Sequence, residues 1–349
     1  MTVALPKIYS YNIDNLSKKI SDMETLGYAK SQILKMTTAF PQIYGLSIEN
    51  MKKKISDMEA LGYTKSQILK MSVLLPNIYG YNIENMRNKL SDMKKLGYTE
   101  AQILKMTISD PAIYGISIEN MKQKISDFEK LGYTKSQILR MTSSNPSLYN
   151  YSIDSIKRKL FDMEKLGYTK SQILKMTVLF SSIYNYDIET LEKKLSYMET
   201  FGYTRKQVVK MSTSLPSIYG LSHFNIKKKI SDMEDLGYTR EQVLKMTEFL
   251  PSIYSLSIAN LREKVLYIRE IGIEDFILRN PKYLMQSVDL TYARYKYLTE
   301  NCNIEFDSNN SRLLFIGGKR FETTFKISKV DLLKKYDYRE VKKLKSIKT

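Results

Sequence analysis

The sequence predicts an all-α fold, a right- or left-handed α-solenoid of about eight 35-residue helical repeats with a helical C-terminal cap. One observation is a strict period, because a string close to Leu-Gly-Tyr-Thr-Lys-Ser-Gln-Ile-Leu-Lys-Met returns every 35 residues. Its glycines are Gly27, Gly62, Gly97, Gly132, Gly167, Gly202, Gly237 and Gly272. A second is that each copy holds two amphipathic helical patterns separated by this glycine. Such a period is typical of repeats that bury their apolar faces only against their neighbours.

The first element of a repeat is a long amphipathic helix. In the copy at residues 41–75, Ser47 is a good N-cap, because its hydroxyl can accept from free N–H groups of the first turn. The apolar residues that follow at helical spacing are Ile48, Met51, Ile55, Met58 and Leu61. Gly62 should end this helix in a left-handed conformation, which costs glycine little.

A shorter helix and a proline turn complete the repeat. Thr64 and Gln67 have the spacing of a capping box. The apolar residues of this helix are Ile68, Leu69, Met71 and Leu75. Pro76 ends it, since the residue before a proline disfavours the helical region. Only a short turn of helix fits before the next N-cap, Asn82.

Tyrosines follow the same register, one in the proline turn and one after the glycine. The column in the proline turn is Tyr44, Tyr79, Tyr114, Tyr149, Tyr184, Tyr219 and Tyr254. Such a column could stack nucleic-acid bases. The apolar neighbours Ile43 and Leu61 favour packing between helices instead, with the hydroxyl at the surface.

The charge of the chain favours a polyanionic partner. Lys and Arg number 55 against 37 Asp and Glu, for a formal net charge of +18. This excess indicates nucleic acid first and anionic membrane surfaces second. No apolar run has the length of a membrane-spanning helix, so membrane insertion is not expected.

Cysteine usage and the N-terminal residues bear on location. Cys302 is the only cysteine, so no intramolecular disulfide forms and a reducing compartment is expected. No signal or transit peptide is visible before the first Pro-x-Ile-Tyr element at Pro6, Ile8 and Tyr9. We therefore expect an intracellular protein, and delivery into a host cell is left open. The predicted domains are a repeat array at 1–285 and a divergent cap with a basic tail at 286–349.

One polar column is unbroken along the long helices. It consists of Lys19, Lys54, Lys89, Lys124, Lys159, Lys194, Lys229 and Lys264. At about 100° per residue, Lys54 falls between Leu61 and Met58, inside the apolar arc. Its stem could pack in a groove while the ammonium snorkels out, which predicts a ladder of phosphate contacts. The alternative is an intrahelical ion pair with Asp57.

A second basic column lies on the short helices, immediately before the core methionine. It consists of Lys35, Lys70, Lys105, Arg140, Lys175, Lys210 and Lys245. These residues are candidate nucleic-acid contacts, and a simply solvated face is the alternative. Neighbouring repeats should be offset by about 10 Å, against about 3.4 Å per base pair of duplex. One contact per about three base pairs suits a protein that follows the phosphate backbone.

Catalysis finds little support in the sequence. His223 is the only histidine, and with Cys302 it offers neither a zinc site nor a Cys–His nucleophile. Asp57 and Glu59 recur, but two residues apart on a helix they face different directions. We expect no enzymatic activity, no metal and no cofactor.

The repeat resembles that of the mitochondrial transcription termination factor (mTERF) family. The likeness rests on Pro-x-Ile-Tyr, Ser-Ile-Glu-Asn-Met, Leu-Gly-Tyr-Thr and Gln-Ile-Leu-Lys-Met, and covers residues 5 to about 333. The segment with Asn280, Pro281 and Arg294 resembles the family's terminal segment, and Phe321 and Phe325 its closing aromatic pair. The resemblance implies a curved helical array that binds duplex DNA, or RNA, along a basic inner surface, with roles in transcription or organelle RNA metabolism. Arg294 joins the candidate contacts.

The short helix is also similar to the first helix of TAL-effector-type repeats, whose specificity pair would precede the proline. Those pairs are Ala39-Phe40, Leu74-Leu75, Ser109-Asp110, Ser144-Asn145, Leu179-Phe180, Ser214-Leu215 and Phe249-Leu250. Only Ser109-Asp110 and Ser144-Asn145 are polar at both positions, so we interpret most of the others as core. A base code is thus the weaker interpretation.

The combined prediction is a nucleic-acid-binding repeat protein with a role in transcription or its regulation. Duplex DNA is the first choice of ligand and RNA the second, and we expect a monomer. The alternatives are a TAL-effector-like modular DNA binder, or a scaffold or effector that binds an acidic protein partner.

Overall fold

The computed structural model describes residues 12–307 and 310–339. Within them all regular structure is helical and no strand occurs. The prediction of an all-α repeat solenoid is confirmed. The chain divides into two compact units, Met1–Asp187 and Ile188–Thr349. The predicted boundary at residue 285 stays a prediction, and the first Pro-x-Ile-Tyr element and residues 340–349 of the basic tail lie outside the described residues.

Each repeat begins with a long helix. The long helices are α1 (Ile13–Leu26), α3 (Ile48–Glu59), α5 (Ile83–Leu96), α7 (Ile118–Leu131), α9 (Ile153–Lys165), α11 (Ile188–Thr200), α13 (His223–Glu234), α15 (Ile258–Glu270) and α17 (Val288–Cys302). The expected N-cap is present at Ser47, whose hydroxyl accepts from the Asn50 N–H at 3.1 Å. Helix α3 stops before Leu61, and Gly62 follows in the left-handed region at φ +98°.

The second helix of each repeat is short. The short helices are α2 (Lys30–Ala39), α4 (Lys65–Leu74), α6 (Glu100–Ser109), α8 (Lys135–Ser144), α10 (Lys170–Leu179), α12 (Arg205–Ser214), α14 (Arg240–Phe249) and α16 (Glu274–Arg279). The capping box of α4 is confirmed, because Thr64 accepts from the Gln67 N–H while the Gln67 side chain accepts from the Thr64 N–H. These two hydrogen bonds satisfy two N–H groups that the helix itself leaves free.

A 3-10 turn closes each repeat, as the proline predicted. The turns are Pro41–Gly45, Pro76–Gly80, Pro111–Gly115, Pro146–Asn150, Ser181–Asn185, Pro216–Gly220, Pro251–Ser255, Pro281–Met285 and Ser311–Phe315. Two further helices, α18 (Gly318–Phe325) and α19 (Lys329–Lys335), follow the last turn. Helix α16 has six residues where the other short helices have ten, so the spacing from Pro251 to Pro281 falls to 30 residues.

The first unit consists of two helical layers. Short helices α2, α4, α6, α8 and α10 pack side by side in one layer, and long helices α1, α3, α5 and α7 pack in the other. The core between them is built from the apolar stripes that the period predicted, with Met58, Ile68, Met71 and Ile78 fully buried in one repeat. In the second unit, α12 packs on α14, α14 on α16, and α17 on α19.

Buried tyrosine hydroxyls join neighbouring repeats. The Tyr133 hydroxyl contacts Thr177 Oγ1 at 2.7 Å and the Tyr184 hydroxyl at 2.9 Å, both in the next repeat. The same arrangement occurs at Tyr28–Ser72–Tyr79, Tyr63–Thr107–Tyr114, Tyr98–Thr142–Tyr149 and Tyr203–Thr247–Tyr254. Packing between helices is therefore confirmed for the column members Tyr79, Tyr114, Tyr149, Tyr184 and Tyr254, but the expected position of their hydroxyls at the surface is wrong. Each hydroxyl is satisfied by another repeat rather than by water.

The glycine between the two helices is required by both conformation and space. Gly97 has φ +107°, and a Cβ built there would lie 3.3 Å from Leu139 Cδ1 of the next repeat. An L-residue is disfavoured in this region because its Cβ approaches the following carbonyl oxygen.

We predict that Gly97→Ala lowers the free energy of unfolding by about 1–2 kcal/mol, the cost of a left-handed backbone for alanine. The matched control is Gly80→Ala, whose added methyl would meet nothing within 4 Å and should change stability by less than about 0.5 kcal/mol. Guanidinium denaturation of both variants measures the difference. Equal midpoints for the two would contradict the prediction.

Candidate nucleic-acid interface

The first lysine column is turned toward the neighbouring repeat. Each Nζ donates a hydrogen bond to a backbone carbonyl that lies between the next short helix and the next long helix. The pairs are Lys19–Leu46, Lys54–Tyr81, Lys89–Ile116, Lys124–Tyr151, Lys159–Tyr186, Lys194–Leu221, Lys229–Leu256 and Lys264–Leu284. In all but the last, the acceptor is the residue before the N-cap of the next long helix, so the bonds within that helix leave its carbonyl free.

Burial accompanies these bonds. The buried members, at 6–8% exposure, are Lys19, Lys89, Lys124, Lys229 and Lys264, and the other three are half-buried. Desolvation lowers the pKa of all eight lysines, and nearby carboxylates such as Asp57 beside Lys54 act in the opposite direction. The prediction of ammoniums that reach solvent as a phosphate ladder is therefore wrong. The position inside the apolar arc is explained by a bond between repeats.

Arg294 belongs to the same column. It lies seven residues after its N-cap, Ser287, as Lys54 lies seven after Ser47. Its Nη1 donates to the carbonyls of Leu314 at 2.9 Å and Ile316 at 2.8 Å. Its guanidinium also lies 4.3 Å from the centre of the Phe321 ring.

The surroundings of Arg294 make a surface role untenable. The residue is 3% exposed, and burial lowers the pKa of Arg294 to about 10. The structure thus places this predicted nucleic-acid contact in the interior. The constant distance from the N-cap is the sequence signal that identifies it as a ninth member of the column.

The second basic column is exposed throughout. Lys35, Lys70, Lys105, Arg140, Lys175, Lys210 and Lys245 all lie on the solvent side of their short helices. In the second unit Lys210 pairs with Glu248 at 2.9 Å and Lys245 with Glu241 at 2.8 Å. In the first unit none of the five forms an ion pair with a described residue, and Lys105 Nζ donates to Ser144 Oγ at 3.0 Å.

A further basic column, not singled out from the sequence, stands at the first residue of the short helices. In the first unit it comprises Lys30, Lys65, Lys135 and Lys170, all exposed, with Glu100 at the equivalent place in α6. Its sequence signal is the lysine of the recurrent Leu-Gly-Tyr-Thr-Lys string.

The two layers of the first unit differ in charge balance. The short helices α2 to α10 carry nine basic residues and one acidic residue. The long helices α1 to α9 carry sixteen basic and fourteen acidic residues, and five of the sixteen are lysines of the first column, which bond backbone carbonyls. Exposed cations of the long helices also pair within the helix, as in Arg87–Glu84 at 3.8 Å and Lys122–Glu119 at 3.5 Å. The positive excess therefore lies on the short-helix face.

The residue pairs before the prolines are less buried than expected. The first members, Ala39, Leu74, Ser109, Ser144, Leu179, Ser214 and Phe249, are all exposed. Leu74 and Leu179 are each 45% exposed and Phe249 is 56% exposed. The interpretation as core is therefore wrong for Ala39, Leu74, Leu179, Ser214 and Phe249. Among the second members, Asn145 is buried, and its amide donates to the Ser181 carbonyl and to Asn185 Oδ1, both at 3.1 Å.

The described residues contain no cluster of three or more His, Cys, Asp or Glu side chains that could hold a metal ion. His223 and Cys302 are exposed, at the start of α13 and the end of α17. Nor does any helix in the described ranges have the length and apolar character needed to cross a membrane.

Comparison with protein families gives one match. The mTERF family model matches residues 1–95 and 93–322. This is a non-enzymatic family of nucleic-acid-binding repeat proteins involved in transcription. No curated protein sequence matches the chain significantly.

We predict that Lys124→Met lowers the free energy of unfolding by about 1.5–3 kcal/mol, the range for a hydrogen bond to a charged group. The variant removes the donor to the Tyr151 carbonyl but keeps the stem. Chemical denaturation, followed by circular dichroism, measures the loss.

The matched control is Lys122→Met, which makes the same change at an exposed site on the same helix. It should change stability by less than about 0.5 kcal/mol, since an exposed ion pair contributes little. A stable Lys124→Met protein that has lost nucleic-acid binding would restore the phosphate-ladder interpretation.

Proposed function

This chain belongs to the mTERF family, and on that premise we propose that it binds duplex DNA through the short-helix face of its first unit and acts in transcription. The observation that carries the proposal is the charge of that face, with nine basic residues against one acidic residue on α2, α4, α6, α8 and α10. All ten of these charged side chains are exposed.

The chemistry of the face suits phosphate. Lys70, Arg140 and Lys175 are exposed and form no ion pair with a described residue, so a phosphate oxygen would not have to displace an acidic partner. Each repeat offers one such cation before its core methionine, and most offer a second at the start of the short helix. Contacts of this kind position a protein on the backbone and carry no sequence information themselves.

The other surfaces of the first unit are poorer candidates. The lysines of the first column donate to backbone carbonyls, and moving them to a phosphate would break the bonds between repeats. The exposed cations of the long helices stand beside acidic residues, so their field is largely cancelled at a distance. Only the short-helix face combines exposure with uncompensated charge.

A protein partner with acidic and apolar groups is the second candidate. The observation that favours it is the exposure of Leu74 and Leu179 on the same basic face. Such a partner would bury these leucines and pair with the surrounding lysines.

We predict that removing three cations from the short-helix face weakens duplex binding steeply. The variant is Lys70→Gln, Lys105→Gln and Arg140→Gln together. Each phosphate contact contributes about 0.9 to the magnitude of the slope of log K against log salt. Loss of three contacts should therefore reduce that magnitude by about 2.7. Fluorescence anisotropy with a labelled duplex between 50 and 200 mM salt measures the affinity and the slope together. Over that range the wild type should lose about a thousandfold in affinity.

The control removes the same number of charges from the same three repeats but from the long helices, as Lys52→Gln, Arg87→Gln and Lys122→Gln. Its slope should stay close to that of the wild type. Equal losses in the two triple variants would mean that net charge, rather than this face, drives binding. Absence of wild-type binding to duplex DNA at 50 mM salt would refute the proposal, and parallel titrations with duplex RNA and an acidic peptide would then identify the alternative.

A further inference from the structure

The short helices of the first unit differ from one another mainly in one short stretch. The core methionine of each short helix in the first unit is unchanged, at Met36, Met71, Met106, Met141 and Met176. After one further Thr or Ser, three residues vary freely before the next repeat. They are 38–40 (Thr-Ala-Phe), 73–75 (Val-Leu-Leu), 108–110 (Ile-Ser-Asp), 143–145 (Ser-Ser-Asn) and 178–180 (Val-Leu-Phe). Variation along the short helices is thus concentrated at their C-terminal end.

The middle residue of this stretch is exposed in every copy of the first unit. Ala39, Leu74, Ser109, Ser144 and Leu179 are exposed, whereas the residues that follow them are half-buried or, at Asn145, buried. Packing against the neighbouring repeat can constrain the third residue of the stretch. It does not constrain the middle one, because that side chain faces solvent.

The middle residue also lies among the basic side chains of the proposed interface. It comes four residues after the exposed cation of its own helix, as Leu74 follows Lys70, and residues at this spacing lie one above the other on a helix. The preceding repeat approaches it from the side, since Lys105 Nζ donates to Ser144 Oγ at 3.0 Å. An open groove between α2 and α4 is lined by Gln32, Lys65 and Lys70 together with Leu74.

From this placement we infer that Ala39, Leu74, Ser109, Ser144 and Leu179 are specificity-determining residues that contact base edges of bound duplex DNA. The inference rests on the proposed function, because the basic residues on either side would hold the phosphates that bring these side chains to the groove. Alanine and leucine offer methyl groups that suit the 5-methyl of thymine, and serine can hydrogen-bond to more than one base.

The predicted discrimination is therefore uneven along the site. Apolar residues occupy the first, second and fifth short helices, and serines the third and fourth. With about three base pairs per repeat, Leu74 and Leu179 should select thymine at two places about nine base pairs apart. Serine positions between them should tolerate more than one base.

The experiment exchanges the two kinds of residue and compares the sequences selected from a random duplex pool. One variant is Leu74→Ser with Leu179→Ser, and the other is Ser109→Leu with Ser144→Leu. The control, Ser56→Leu with Ser91→Leu, makes the same change at exposed positions of α3 and α5 in the long-helix layer. Binding of every protein to one fixed random-sequence duplex is measured first by anisotropy.

We expect the wild type to select a motif with thymines. The Leu74→Ser, Leu179→Ser variant should lose about fivefold or more of that thymine preference. The Ser109→Leu, Ser144→Leu variant should gain thymine preference at new positions. The control should match the wild type in its affinity for the fixed duplex and in its salt slope, and it should select the wild-type motif. Wild-type binding without any selected motif, or the same motif from both exchange variants, would overturn the inference and leave the proposed function standing. Failure of the wild type to bind the fixed duplex at 50 mM salt would instead remove the proposed function and this inference with it.

Discussion

A hydrogen bond from the long helix of one repeat to the segment just before the next long helix recurs within both compact units, and it constrains the rest of each repeat. The donor lies seven residues after an N-cap, and the acceptor in the regular repeats lies 27 residues further along the chain. Because the number of residues between donor and acceptor is constant, neither the short helix nor the 3-10 turn can change length without moving the acceptor. Where α16 is shortened, Lys264 reaches Leu284 inside the turn instead, at 2.5 Å.

The same constraint decides where charge is available for a ligand. A lysine that bonds a buried carbonyl adds to the formal net charge but contributes little to the outer surface of the repeat. Cations on the outside of the long helices stand next to acidic residues one turn away, as Lys122 does beside Glu119. What is left uncompensated is the positive charge on the row of short helices in the first unit. The proposed interface is thus the face of the first unit with the largest uncompensated positive charge.

Local signals in the sequence predicted most of the fold, because caps and turns depend on a few adjacent residues. Ser47, Gly62, the Thr64–Gln67 pair and Pro76 each specify a boundary by their own chemistry. The role of the lysine column was misjudged for a physical reason. The helical wheel places Lys54 in the apolar arc, but it does not indicate that the free carbonyl of Tyr81, 27 residues further along the chain, lies within reach. Burial of the residues before the prolines was misjudged as well, since Leu74 and Leu179 are apolar yet sit on the outer side of the last helical turn.

The lysine–carbonyl and tyrosine hydroxyl bonds form the same joint between each pair of regular repeats, and this has a consequence for how the gene can change. A duplication of 35 residues within the regular part would carry its own lysine donor, carbonyl acceptor and paired tyrosine hydroxyls, so both new joints would be complete without any compensating substitution. Unequal recombination between near-identical copies could therefore lengthen or shorten the chain by whole repeats. That freedom ends near α16, where Tyr238 lies beneath the Arg269 guanidinium at 5.1 Å and the regular joint is replaced. The architecture is thus open to growth along its length and fixed at its C-terminal end.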